Sequence, residues 1–165
     1  MAIKRIFRSG SIKGMGERTP LIERTLLIIK PDAMRRGLVS PIMNEIKRSG
    51  LRTLIKEERV LSRDILERLY EEHRGRDYFE KLLNFMGSGK VICAVLEGEN
   101  CINRLWSLMG NTYPSKADPR SIRGKYRGES DSGPSGAIEN LVHGSDGPER
   151  ANKEIEVVFG KKWAV

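Results

Sequence analysis

The sequence predicts an α+β fold, a four-stranded antiparallel sheet with helices packed on one face. Three observations predict it. Short apolar runs of strand length alternate with segments whose apolar residues keep helical spacing. Neither an internal repeat nor a linker divides the chain. A length of 165 residues with 38% hydrophobic content suits one domain that buries its core without disulfides or a structural metal.

Arg24 to Lys30 is a nearly continuous apolar run that stops at Lys30, Pro31 and Asp32, a strand feeding a turn, which puts a lysine at the strand's C-terminal end. Ser40 followed by Pro41 reads as an N-cap with proline at the first helical position. Ile42, Met43 and Ile46 keep helical spacing, and Gly50 closes that helix. Leu51 to Leu61 is a second strand whose central charges place it near a sheet edge or leave one face exposed. Ser62 caps a helix with Ile65, Leu66, Leu69 and Tyr70 on one face, and after a polar break at Arg74 to Asp77 a shorter helix runs from Tyr78 to about Met86. Lys90 to Glu97 is a third, well-buried strand. Asn100 to Met109 is a helix ended by Gly110. The Gly-, Pro- and Ser-rich segment from Asn111 to Gly136 is too long for an ordinary connection, and loops of that length are functional or disordered. Ala137 to Val142 reads as the fourth strand, and a last helix from about Gly147 to Phe159 buries Ala151, Ile155, Val158 and Phe159. Two split βαβ units in this order make a ferredoxin-like sandwich.

Composition narrows the function classes. Cys93 and Cys101 belong to no zinc-type or C-x-x-C cluster, which fits a reducing, cytoplasmic setting. No apolar stretch approaches the roughly 20 residues that span a bilayer, and the basic start lacks the apolar core of a secretory signal, so no membrane partner is expected. The net charge of +8 is unevenly spread: residues 1–24 hold six Lys or Arg against two Glu, leaving 24 basic and 20 acidic side chains for the rest. Residues 1–21 form a basic N-terminal extension, read first as a solvated tail and second as a nucleic-acid-binding arm, with residues 22–165 as the domain proper. Nucleic acid is thus a secondary partner. The bias of the body also suits an anionic small molecule.

Gly87, Ser88, Gly89 and Lys90 do not make a phosphate loop, since Asn84 and Val91 occupy the positions that need Gly and Ser or Thr. Metalloprotease, serine-hydrolase, calcium-sensor and dinucleotide fingerprints are also lacking. The chain has two histidines. His143 ends an apolar stretch just before a helix start, which is how a reactive side chain reaches the lip of a sheet. With Lys30 at another strand end, and Thr112, Arg120, Arg123 and Lys125 on the long loop, it outlines a phosphate site. An ordinary imidazole, with a pKa of about 6.5, is largely neutral at pH 7 and can attack phosphorus without a separate base, while lysine and arginine neutralise the transferring group.

Asn140, Leu141, Val142, His143, Gly144, Ser145 and Asp146 together resemble the active-site signature of nucleoside diphosphate kinases. Glu23 to Thr25 leading into Ile29, Lys30, Pro31 and Asp32, then Arg36 to Val39, resembles the family's first strand and turn. Ser121 to Gly124 resembles its arginine loop and Lys153 to Ile155 its last helix, so the likeness spans about residues 22 to 163.

That resemblance implies ping-pong transfer of the γ-phosphoryl group of a nucleoside triphosphate such as ATP to a diphosphate, through a phosphohistidine on His143. It implies that Glu154 and Ser145 orient the imidazole, that Lys30, Arg123 and Thr112 hold phosphates, and that Tyr70 sets its hydroxyl beside the transferring group. Asn140 with Lys30 would meet the sugar hydroxyl, and Tyr78 takes the place of a base-stacking phenylalanine opposite Ala137. Magnesium is implied as a companion of the nucleotide, with no metal site on the protein, and a homo-oligomer, commonly a hexamer.

The chain departs from the family pattern in two places. Trp106 falls where an arginine usually grips the phosphates, and Arg104 lies about 200° round the helix from it. Arg120 or Lys125 is expected to supply the missing cation. The stretch from Gly124 to Glu139 is longer than the pattern by about seven residues, and two readings stand equally: a mobile surface excursion, or a flap or subunit contact near the nucleotide.

Overall fold

Ile22–Ile29 forms the central strand β1 of a computed structural model that describes residues 21–165. The first twenty residues of the basic extension, and both readings of it, lie outside the described residues. After β1 come helices α1 (Pro31–Arg35) and α2 (Val39–Arg48), strand β2 (Arg52–Arg59), and helices α3 (Arg63–Leu69) and α4 (Phe79–Met86). Strand β3 (Val91–Glu99), helices α5 (Cys101–Met109) and α6 (Ile122–Lys125), strand β4 (Val142–Gly144) and helix α7 (Pro148–Phe159) complete the order.

The sheet runs β2-β3-β1-β4 and is antiparallel throughout, as two split βαβ units require. β1 pairs with β3 over its whole length, from Ile22 opposite Glu99 to Ile29 opposite Ile92. The charged strand β2 takes the edge, as its composition predicts.

The placement of the helices corrects one expectation. They cover both faces of the sheet. Leu26 and Ile28 pack with Leu66, Leu69 and Leu83 from α3 and α4 and Ile155 and Val158 from α7. Leu27 and Ile29 pack on the other face with Ala33, Ile42, Ile46 and Leu105 from α1, α2 and α5. Such double cover explains why β1 and β3 are continuous apolar runs, since a strand with one wet face alternates.

Three local expectations also change. Lys30 to Asp32 opens a short helix, α1, with Pro31 in its first turn, where a missing N–H costs nothing. The N-cap of α2 is Leu38, and Ser40 sits inside the first turn. By contrast Ser62 caps α3 as expected, its hydroxyl accepting from the Ile65 N–H. The fourth strand is shorter and later than Ala137 to Val142. Leu141 has φ +70°, and the Val142 N–H donates to the Asn140 carbonyl at 2.8 Å, a γ-turn that breaks the run. Asp32 Oδ2 accepts from the Leu141 N–H at 3.0 Å and the Leu141 carbonyl accepts from the Lys30 N–H at 2.8 Å, so α1 holds the turn in place. The apolar side chains signalled burial there, not extended backbone.

Candidate active site

Register puts His143 directly opposite Ile28 of β1. Cross-strand partners share a face, so the imidazole stands on the Ile28 side, under α3 and α7. Gly144 follows because α5 closes behind β4: a Cβ there would lie 2.8 Å from Leu105 Cδ2. His143 Nε2 lies 2.9 Å from Glu154 Oε2, and the Ser145 hydroxyl donates to that same oxygen at 2.6 Å. Burial alone would raise the Glu154 carboxyl. The charge of a protonated His143, with hydrogen bonds from His143, Ser145 and Arg150, overrides it and holds the group at about 2.

The Tyr70 ring meets the His143 ring edge-on, centroids 5.7 Å apart. Its hydroxyl is buried without a hydrogen-bond partner among the described residues. Burial and the Glu154 charge hold the phenol protonated, above its ordinary range.

At the end of β1, Lys30 Nζ donates to Asn140 Oδ1 at 2.7 Å, and Asn140 Nδ2 donates to the Thr112 carbonyl at 2.9 Å. Burial, then the neighbouring Arg123 charge, lowers Lys30 to about 7 against the opposing pull of Asp32. The Arg123 guanidinium donates to the carbonyls of Asn140, Gly110 and Val142 at 3.1, 2.9 and 2.8 Å, and burial lowers it to about 10. It therefore holds the α5 end, the γ-turn and β4 together while keeping its charge at neutral pH.

These side chains surround one cavity of about 850 Å³, walled by Lys30, Tyr70, Thr112, Arg123, Asn140 and His143. Tyr78, half exposed, stands at its mouth, and the buried Ala137 lines the same cavity. A volume of that size accommodates a nucleotide. The arrangement presents one imidazole nitrogen to a pocket with two buried cations at hand, which is what transfer of an anionic group through histidine requires.

A family model described as nucleoside diphosphate kinase matches residues 23–163. The chain belongs to the nucleoside diphosphate kinase family. A nucleoside diphosphate kinase of Saccharolobus islandicus is 38% identical over 141 residues, covering 86% of this chain and 97% of the relative. The nucleoside diphosphate kinase of Borrelia burgdorferi, solved as a transition-state mimic with vanadate and ADP, superposes with a TM-score of 0.80 at 26% identity, covering 88% of this chain and 91% of that one. The Halobacterium salinarum nucleoside diphosphate kinase, solved with CDP, gives 0.77 at 32% identity, covering 87% and 91%. The protein is thus a phosphotransferase of nucleotides with the ferredoxin-like fold of this family.

Of the site residues the nucleoside diphosphate kinase resemblance implies, the structure brings all except Ser145 onto the cavity wall, and Ser145 reaches the site through Glu154. The expected replacement cations do not join them. Arg120 is spent on Asp118, at 2.8 Å, and Lys125 on Glu45, at 2.5 Å, and neither lines the cavity. Arg104 turns away to the carbonyls of Ser49 and Glu99. Trp106 itself does line the cavity and donates its indole N–H to the Ser145 carbonyl at 2.9 Å.

Sequence reasoning missed Arg150, Glu72 and His73, all on the wall. The signal for the first lay in its spacing, since Asp146, Arg150 and Glu154 fall four apart along α7 and its entry. In the long stretch, Glu139 N–H bonds the Asp131 carbonyl, Ser115 donates to Asp131, and Gly136 to Ile138 form cavity wall.

Proposed function

We propose that His143 carries the phosphoryl group in a ping-pong exchange between nucleoside triphosphates and diphosphates, with Nδ1 as the attacking atom. One observation carries this reading: Glu154 takes Nε2 at 2.9 Å, and Nδ1 has no hydrogen-bond partner among the described residues. The Nδ1 lone pair forms the N–P bond as the bond from the γ-phosphorus to the bridging oxygen breaks, its electron pair leaving with the diphosphate. A second diphosphate then attacks the same phosphorus through a terminal β-oxygen, and the N–P pair returns to the ring.

Lys30, Arg123 and the Thr112 hydroxyl hold the phosphates, and the Tyr70 hydroxyl donates to the transferring group. Lys30 and Asn140, already bonded to each other at 2.7 Å, meet the ribose hydroxyl. Tyr78 stacks on the base opposite Ala137, a contact that tolerates every base because each has a π-face. Glu154 and Ser145 hold the ring in place.

Magnesium would arrive with the nucleotide and would offset the charge of its phosphates. The wall carboxylates fit this arrangement. Glu72, Asp146 and Glu154 are each paired to Arg150, which offsets their charge on the wall.

We assign residues 22–165 to the catalytic domain and residues 1–21 to a basic extension. The buried thiols of Cys93 and Cys101, both raised to about 12 by burial, suit a reducing cytoplasm. No helix among the described residues is long and apolar enough to cross a membrane. The likeness to the family supports a homo-oligomer, a hexamer, and sedimentation measures it.

The decisive experiment is labelling. Incubation with γ-labelled ATP leaves acid-labile, base-stable label on the protein. A His143→Ala protein that still takes up such label overturns the reading.

A further inference from the structure

Arg150 contacts three carboxylates from three different places. Its Nε lies 3.0 Å from Asp146 Oδ1, its Nη2 donates to Glu154 Oε1 at 3.2 Å, and its Nη1 pairs with Glu72. The contacts continue outward from both ends. Glu154 Oε2 meets His143 Nε2 at 2.9 Å on one side. On the other, Glu72 Oε1 lies 3.1 Å from His73 Nε2, and His73 Nδ1 lies 2.9 Å from the Tyr78 hydroxyl. A continuous line of polar contacts thus joins Tyr78 at the mouth of the cavity to His143 at its floor, and Arg150 sits in the middle of it.

The charges explain why an arginine stands there. Glu72, Asp146 and Glu154 converge on one wall, and without a cation they repel one another and any incoming phosphate. A planar guanidinium satisfies all three at once, which an ammonium does less well. Fixing Glu154 Oε1 also decides where Oε2 points, since one carboxylate cannot rotate while both oxygens are held. Finally, the pairing with Glu72 braces the turn of Glu71–His73 against α7.

We propose that Arg150 is a positioning residue for the phosphoryl exchange: through Glu154 it orients His143 and offsets the carboxylate charge beside it, and through Glu72 it ties the base-binding edge to the nucleophile. This inference rests on the reading of His143 as the phosphoryl carrier. An uncompensated carboxylate favours a protonated neighbour, so removing Arg150 shifts His143 toward its non-nucleophilic form at a given pH. The titratable and charged groups that face the imidazole and its partner are Glu154, Asp146 and Arg150 from α7 and its entry, Glu72 and His73 from the turn, Tyr70 from the end of α3, and Lys30 and Arg123 from the phosphate side. Arg150 is the one that contacts Glu154 directly as a cation.

The test measures the single-turnover rate of phosphohistidine formation from ATP across pH in full-length protein. Arg150→Met is expected to slow it about tenfold at pH 7 and to move the acid limb of the profile to higher pH, while Arg150→Lys keeps the limb in place with a smaller rate loss. A folded Arg150→Met protein with an unchanged profile overturns the proposal. So does a uniform rate loss with the limb unmoved, since that is what a merely structural role gives. Should Arg150→Met fail to fold, Arg150→Gln, which also removes the charge, carries the test: a limb moved to higher pH supports the proposal and an unmoved limb overturns it. Absence of acid-labile label on the parent protein defeats the underlying reading instead, so the two failures are distinct.

Discussion

Glu154 Oε2 accepts from the Ser145 hydroxyl at 2.6 Å and faces His143 Nε2 at 2.9 Å, so a single oxygen anchors both the ring and the residue that follows β4. Replacing Glu154 with Gln keeps the shape but removes the charge and presents an amide N–H₂ to a ring N–H. The imidazole then loses its fixed tautomer, and the phosphorylation rate is expected to fall roughly ten- to a hundredfold. Rapid-quench labelling reads it. Stability has its own pH signature: the folded carboxyl, at about 2, lies below its ordinary 4.5, so its contribution is fully present above 4.5 and drains away as pH falls through 2. Denaturation midpoints of the Gln variant lack that part of the acid dependence.

Lys30 works in the opposite sense. Burial first, and Arg123 second, lower it from 10.5 to about 7. Between those values the unfolded chain binds more protons than the native one, so stability climbs with pH across that window, and below 7 the native state bears the whole cost of the buried charge. Phosphate binding needs the charged form, so nucleotide affinity of the free enzyme declines as pH rises above 7. Lys30→Met is therefore expected to raise the denaturation midpoint at pH 6 while weakening nucleotide binding by roughly ten- to a hundredfold. Equal midpoints for the two proteins at pH 6 contradict the buried charge.

What the sequence revealed, and what it hid, follows from how each signal arises. Lys30 and His143 were legible because each ends a short apolar run, and runs in a split βαβ sheet bring their ends together, whereas Arg123 stood out as a cation of the long loop and Asn140 only through the family resemblance. The second layer of helices was legible too, in the unbroken apolarity of β1 and β3, but a sandwich with one covered face was expected instead. Leu141 was not legible at all. Nothing in a leucine announces a positive φ, and the Asp32 and Lys30 contacts that hold it come from more than a hundred residues away. Arg120 and Lys125 were misplaced because each cation turns to the carboxylate that the fold brings to it, Asp118 two residues away for one and Glu45 80 residues away for the other, and composition does not encode which carboxylate that is.

Tyr78 stands half exposed at the cavity mouth, held by the contact of its hydroxyl with His73 Nδ1 at 2.9 Å. Base stacking is worth about 1–3 kcal/mol. Tyr78→Ala is therefore expected to raise the nucleoside diphosphate KM roughly tenfold or more, by similar factors for purines and pyrimidines. Tyr78→Phe keeps the ring and stays within about threefold. Steady-state kinetics over four diphosphates distinguishes these outcomes, and a loss confined to one base shows edge recognition in place of stacking.

Trp106 offers the reverse experiment, a gain. Its indole is half exposed on the cavity wall and its N–H donates to the Ser145 carbonyl at 2.9 Å, while Arg104, Arg120 and Lys125 all point elsewhere. Trp106→Arg puts a guanidinium where the family resemblance implies one. A charge-assisted hydrogen bond to phosphate contributes about 1.5–3 kcal/mol, and the lost indole bond costs about 1 kcal/mol. The net expectation is a KM several-fold lower. Because the phosphate carries its charge before and during transfer, the gain is shared by ground and transition states, so kcat stays put while kcat/KM rises. The improvement shrinks with added salt, as an exposed ion contact must. An unaltered KM at low salt places Trp106 off the phosphate path and leaves Lys30 and Arg123 as the whole of the cationic grip.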